Sequence, residues 1–132
     1  MAYADRPLSV VNVLGTSPLE SVPRGAEIVT VTVELPPNDP GLPAHRHPGP
    51  LYGVMLEGEM EFELEDEAPR VIRAGETFSE PGGDRIHYLA ANPSDLTARF
   101  VVMMFVPPGE EVLTFVDEAE LAERAHRRVR AA

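Results

Sequence analysis

Two of the four histidines in this 132-residue chain stand one residue apart, in the stretch Ala44-His45-Arg46-His47-Pro48. On an extended segment, residues i and i+2 point to the same side, about 7 Å apart along the backbone, so the two imidazoles can converge on one ion. A divalent metal needs at least one further ligand. The remaining histidines are His87, which opens an apolar stretch just after a Pro-Gly-Gly turn, and His126. His126 lies among arginines in a polar C-terminal segment, where solvation near a helix C-terminus accounts for it. Taken alone, a His-x-His tripeptide in a proline-rich loop is more often two solvated side chains than a metal site.

Rival chemistry is scarce. The chain has no cysteine, which excludes thiolate ligands, a thiol nucleophile and disulfides. No G-x-S-x-G, phosphate loop or zinc-ribbon spacing occurs. Glu59, Glu61, Glu63 and Glu65 alternate with Met60, Phe62 and Leu64, the pattern of a strand with one solvated acidic face. Glu57 belongs to a turn. Glu80, Asp84 and Arg85 surround another turn, where such residues are favoured anyway, although they are placed to reach the rim of a cavity. The Met103-Met104 pair reads as core filling.

The elements that must position these groups read as strand after strand. Leu8–Val13 is a short β-rich opening. Glu27–Leu35 alternates, with Val29, Val31, Val33 and Leu35 on one face. Leu51–Glu57, Glu59–Glu65, two brief strands around Ala74-Gly75, Ile86–Asn92 and Ala98–Val106 follow, punctuated by 14 prolines and 10 glycines. Ala98–Val106 is apolar at nearly every position, which predicts burial on both faces and a second covering layer, either another sheet or a partner subunit. Helix is expected only at about 117–129: Asp117 and Glu120 form a capping-box-like D-x-x-E, and Glu120–Arg124 and Glu123–Arg127 are favourably spaced. These signals predict one all-β domain spanning 1–132, a sandwich or barrel with a short C-terminal α-helix.

Composition narrows the partners. The formal net charge is −11, and all eleven basic residues are arginine, so nucleic acid is excluded as an expected partner. The first twenty residues lack a positively charged start and a continuous apolar run, and no stretch is long enough for a membrane span. The expectation is a cytoplasmic protein without a membrane partner.

The order of the motifs resembles the two-motif signature of the cupins, small double-stranded β-helix (jelly-roll) barrels with a metal in the mouth. Gly41, His45 and His47 precede an apolar strand ending at Gly58; Gly75-x5-Pro81-x-Gly83 comes later, followed by His87 and Asn92. The resemblance covers about residues 25–108, which it marks as the barrel core. It implies His45, His47 and His87 as ligands of one divalent transition metal, with Fe, Mn, Ni, Cu and Zn all open. This chain departs from the pattern twice. Leu51 stands seven residues before Gly58, where a cupin carries a glutamate ligand, and His87 and Asn92 fall one residue later than usual.

Three neutral imidazoles would leave the ion's charge uncompensated and up to three positions open, which suits an anionic bidentate guest such as an enolate, a 2-oxo acid or a catecholate. Leu51 and Met55 would form an apolar pocket wall, with Arg85 as the better candidate than Arg46 for steering an anion. Strand parity turns Tyr52 and Tyr88 away from the metal, into another core or a subunit contact. The resemblance therefore implies a dioxygenase-like enzyme acting on a small enolisable or anionic substrate. The alternatives are a non-catalytic ligand-binding barrel and an oxygen-independent isomerase or lyase. The surplus of apolar strand surface predicts a homodimer.

Overall fold

The computed structural model describes residues 9–129. Its strands are β1 (Glu27–Leu35), β2 (His45–Arg46), β3 (Leu51–Glu57), β4 (Glu59–Leu64), β5 (Arg70–Arg73), β6 (Thr77–Glu80), β7 (His87–Ala91), β8 (Ala98–Val106) and β9 (Thr114–Phe115). They form two antiparallel sheets, one of order β1-β8-β3-β6 and one of order β5-β4-β7-β2-β9. This is a mostly β jelly roll, the double-stranded β-helix the motif order implied.

The four-stranded sheet is built in rows. Register places Val29 opposite Met104, Met104 opposite Leu51, and Leu51 opposite Glu80. The next row runs Val31–Val102–Gly53–Phe78. Residues directly opposite in an antiparallel pair point to one face, so these rows form the inner wall. Gly53 is required there, because a Cβ would lie 2.3 Å from the Phe78 ring. The facing sheet contributes Met60, Phe62 and Leu64, all nearly fully buried. The Phe62 and Phe78 ring centroids meet at 5.4 Å across the interior, within the favourable range for aromatic pairs.

Four expectations are corrected. Within the N-terminal stretch Leu8–Val13, Leu8 lies outside the described residues; Ser9–Val13 forms no strand, and Val10 and Val11 are more than four-fifths exposed. No second sheet among the described residues covers the outer face of β8: Phe100, Val102, Met104 and Val106 are buried, while Val101 and Phe105 are half-buried and Met103 is exposed. The strand's uniform apolarity hides an ordinary alternation. The acidic face of β4 is solvated only at Glu59 and Glu61. Glu63 and Glu65 are buried, where they receive Arg128 and Arg124 respectively. Finally, the α-helix α1 spans Glu118–Arg124 and tightens into a 3-10 turn, Ala125–Arg127. The Asp117 cap accepts from the Glu120 backbone amide, as the D-x-x-E spacing predicts.

The helix is fastened by charge rather than by a buried face. Arg46, pointing outward from β2, binds Glu120, and Arg124 binds both Glu65 and Asp84. The opposite end of the barrel is closed by Asn92, which is fully buried. Its amide donates to the carbonyls of Leu35, Pro36 and Leu96. Asn92, the last residue of the second motif, is thus a structural clamp. No helix among the described residues is long and apolar enough to cross a membrane.

Candidate metal centre

His45 and His87 face each other directly across the β2–β7 ladder. Alternation along β2 then carries His47 to the same side, while Arg46 faces out to Glu120. A register shift opposite Glu63 and Leu64 places His87 against Leu64 and Leu89 against Glu63. This β-bulge leaves Tyr88 unpaired and resets the alternation. Both His87 and Ala90, three residues apart, therefore face inward. The one-residue delay in the second motif is absorbed without turning the ring away. The Gly83 amide donates to the His47 carbonyl, docking the second motif on the first.

The three rings are buried, and each offers one nitrogen to a common point, all three atoms lying within 4.8 Å of one another. Backbone carbonyls fix which nitrogen that is. His45 Nδ1 lies 2.9 Å from the Pro43 carbonyl, and His47 Nδ1 lies 2.9 Å from the Val112 carbonyl. His87 Nε2 lies 2.9 Å from the Leu89 carbonyl. A carbonyl only accepts, so each of these ring nitrogens carries the hydrogen and the other presents a lone pair inward. A carbonyl behind each ring is the arrangement that orients metal-binding histidines. The inward His87 Nδ1 is buried with no hydrogen-bond partner. An orphaned lone pair beside two more is what a divalent cation would complete.

Electrostatics agree. Burial lowers His45 below its ordinary value, and lowers His47 to about 4, where the His45 charge acts in the same direction. Burial and the other two rings bring His87 down to about 3. All three imidazoles are neutral at pH 7, the form in which a metal is bound.

The matching of a family signature settles the fold family. Residues 31–105 match the cupin domain family. The chain belongs to the cupins. Among solved structures it resembles an oxalate oxidase complexed with the substrate analogue glycolate, at 23% identity and a TM-score of 0.54, covering 86% of this chain and 66% of that one. It also resembles an uncharacterised Klebsiella pneumoniae protein with a double-stranded β-helix domain, at 17% identity and a TM-score of 0.56, covering 84% and 100%. The DMSP lyase DddQ from Ruegeria pomeroyi DSS-3 is similar at 26% identity and a TM-score of 0.55, covering 67% of this chain and 43% of the lyase. This cupin thus spans about two thirds of the oxidase and less than half of the lyase. No curated protein matches its sequence.

The cavity in front of the cupin's imidazoles measures about 410 Å³. Its walls are apolar, from Leu35, Leu51, Phe62, Phe78 and Val102 among others, and no arginine among the described residues lines it. Leu51 is among the residues that line it. Met55 shares that face but is 1% exposed in the core beneath, and does not reach the cavity. Arg85 is placed elsewhere: its guanidinium donates to the Glu65 carbonyl and to Glu67. Tyr88 turns outward beneath the Arg128 guanidinium, 4.2 Å from its ring centroid, and His126 is exposed.

One residue that the sequence explained as an ordinary turn acid lies deeper than the rim. Glu80 is 5% exposed and lines the cavity beside the imidazoles. Its Oε2 lies 3.4 Å from His87 Nδ1 and 3.7 Å from His47 Nε2. Burial, with a smaller push from Glu67, raises its carboxyl to about 8. With the rings neutral, these contacts are not ion pairs in the metal-free protein. Alternation in β6 held the signal: Phe78 and Glu80 share a face, so an acid stands at a core parity.

Proposed function

We propose that this cupin is a metal-dependent enzyme of dioxygenase-like chemistry. Its substrate is a small organic molecule with one anionic or enolisable end. His45, His47 and His87 would hold the ion. The observation that carries this reading is the set of three carbonyl-locked lone pairs converging at the floor of an apolar cavity. When bound, the ion supplies Lewis acidity and open positions for oxygen or for a pair of substrate oxygens. An imidazole set accepts iron, manganese, nickel, copper or zinc.

The protein's own residues shape the remaining steps. The carbonyls of Pro43, Val112 and Leu89 keep the rings from rotating. Leu51, Phe62, Phe78 and Val102 exclude water and strengthen electrostatic contacts at the floor. With no arginine among the described residues of the lining, a phosphate group finds no fixed cation there, and sugar phosphates suit these walls poorly. An enolate, a 2-oxo acid or a catecholate, bound through two oxygens with an apolar remainder, suits it well.

The similarity to a DMSP lyase over 67% of this chain supports a second reading, an oxygen-independent lyase or isomerase at the same histidines. A third outcome is a barrel that binds a ligand without turnover. Oxygen uptake on screening with diketones, 2-oxo acids and catechols supports the oxygen-dependent reading. Anaerobic product formation supports the lyase or isomerase, and saturable binding without product leaves a binding barrel. Untagged protein is expected to hold one equivalent of metal per chain, and His87→Ala to hold less than a tenth of that. Metal-free wild-type protein that takes up none contradicts every metal reading. The proposal extends to a homodimer through the outer face of the four-stranded sheet and to a cytoplasmic location.

A further inference from the structure

We propose that Glu80 is the fourth, anionic ligand of this metal centre, supplied by β6 from the position directly opposite Leu51. The inference rests on the three-histidine reading above and deepens it. Leu51 and Glu80 are register partners, so their side chains stand side by side on the inner face. An acid on β6 reaches the same corner of the barrel that an acid at residue 51 on β3 would reach.

The distances fit coordination better than hydrogen bonding. His47 Nε2 and His87 Nδ1 both present lone pairs, because their partner nitrogens donate to the Val112 and Leu89 carbonyls. Glu80 Oε2 confronts these nitrogens at 3.7 and 3.4 Å. Both gaps exceed the roughly 2.7–2.8 Å typical of a hydroxyl donor. With metal–ligand bonds of about 2.1 Å, neighbouring ligand atoms sit about 3.0 Å apart at right angles and about 3.4 Å apart at the tetrahedral angle. Two inward ring lone pairs and a carboxyl oxygen at coordination-edge spacing, too far apart for hydrogen bonds, outline a place for a cation.

Nothing else in the pocket compensates this carboxyl. Glu80 is 5% exposed, no arginine among the described residues lines the cavity, and Arg85 is already engaged by Glu67. A buried carboxylate without a counter-charge is costly to keep, whereas one completing a metal's ligand set is stabilised. A carboxylate in the set leaves a divalent centre with one net positive charge. In six-coordination it also leaves two open positions. The geometry thus points to a monoanionic, bidentate substrate rather than a dianion.

The test uses the full chain, untagged and stripped with a chelator, titrated with Co²⁺ and followed by calorimetry and by the cobalt absorption spectrum. Wild type is expected to bind one equivalent tightly. Glu80→Gln, nearly isosteric, is expected to bind at least 100-fold more weakly with a changed spectrum, since losing even a supporting group outside the ligand set costs 10- to 100-fold. Glu80→Leu should behave alike, and the double variant Leu51→Glu/Glu80→Leu should regain at least tenfold of the loss. Glu80→Gln that binds Co²⁺ within threefold of wild type with an unchanged spectrum overturns the ligand role and leaves the three histidines standing. Wild type that binds no Co²⁺ overturns both.

Discussion

At the scale of single residues, burial has set four titrating groups against their ordinary behaviour, and the signs can be worked out. His47 and His87 are lowered to about 4 and about 3, and His45 is lowered as well. As pH falls through about 6.5, the unfolded chain takes up protons that the folded one refuses, so stability is lost towards acid. Glu80 is raised to about 8 from 4.5. The unfolded chain releases that proton first, so stability is lost from about pH 4.5 up to 8. Between these limits three histidines outweigh one carboxyl. From these groups, the metal-free protein is expected to be most stable between about pH 6.5 and 7 and to lose about 0.6 kcal/mol by pH 8. Urea denaturation of stripped protein at pH 5, 7 and 8.5 measures both limbs. Glu80→Gln should remove the alkaline decline and keep the acid one; an unchanged alkaline decline in that variant counts against the assignment. The histidines were legible in the sequence because strand parity and a two-motif order both pointed at them. Glu80 was not, because β6 has only four residues and abuts a Pro-Gly-Gly turn. A charged residue there has an ordinary explanation until the register with Leu51 is known.

At the scale of elements, the instructive case is β4 under the C-terminal helix. Its alternating glutamates read as a solvated face, yet Glu65 is 1% exposed and bound by Arg124. The partner arginine lies 59 positions further along the chain, and local periodicity carries no information about a contact at that separation. What the sequence did show was the helix cap, because its signal spans only four residues. The Arg124–Glu65 pair holds the helix to the barrel, since α1 has no buried residue of its own. Removing one member of a buried pair strands the other, at a cost of about 3–5 kcal/mol. Arg127, with Nη1 3.8 Å from Glu65, can take up part of that charge. Arg124→Ala is therefore expected to destabilise by about 3 kcal/mol in urea denaturation at pH 7. The apolar pair Glu65→Met/Arg124→Met should recover most of the loss. A single variant within 0.5 kcal/mol of wild type would mean the helix is held some other way.

At the scale of the whole molecule, the two faces of β8 divide the protein's tasks. Phe100, Val102 and Met104 face the cavity, while Val101, Met103 and Phe105 face out. Register sets further apolar residues beside this outer face, Ile28 opposite Phe105, Tyr52 opposite Met103 and Val54 opposite Val101, with Thr30 and Thr32 between them on β1. Ile28 is 63% exposed and Met103 43%. The all-β class was readable from turn spacing, and the jelly roll from the order of the two motifs. The uniform apolarity of β8 left its cover open between a second sheet and a partner subunit, because apolarity alone does not say whether the covering surface belongs to the same chain. A second copy is the occupant the proposed homodimer supplies, and the net charge of −11 sets how its affinity must respond to salt. Two strongly acidic copies repel at long range, and salt screens that repulsion within about 10 Å at 0.1 M. The dimer is thus expected to tighten, not weaken, as salt rises from 0.05 to 0.5 M. Met103→Lys, placing a charge on that outer face, should raise the dissociation constant at least 100-fold and leave Co²⁺ binding intact. Light scattering on eluting protein at micromolar concentration reads both effects. Wild type that elutes as a monomer at either salt excludes the dimer, and the outer face of β8 is then solvent-facing in the working protein.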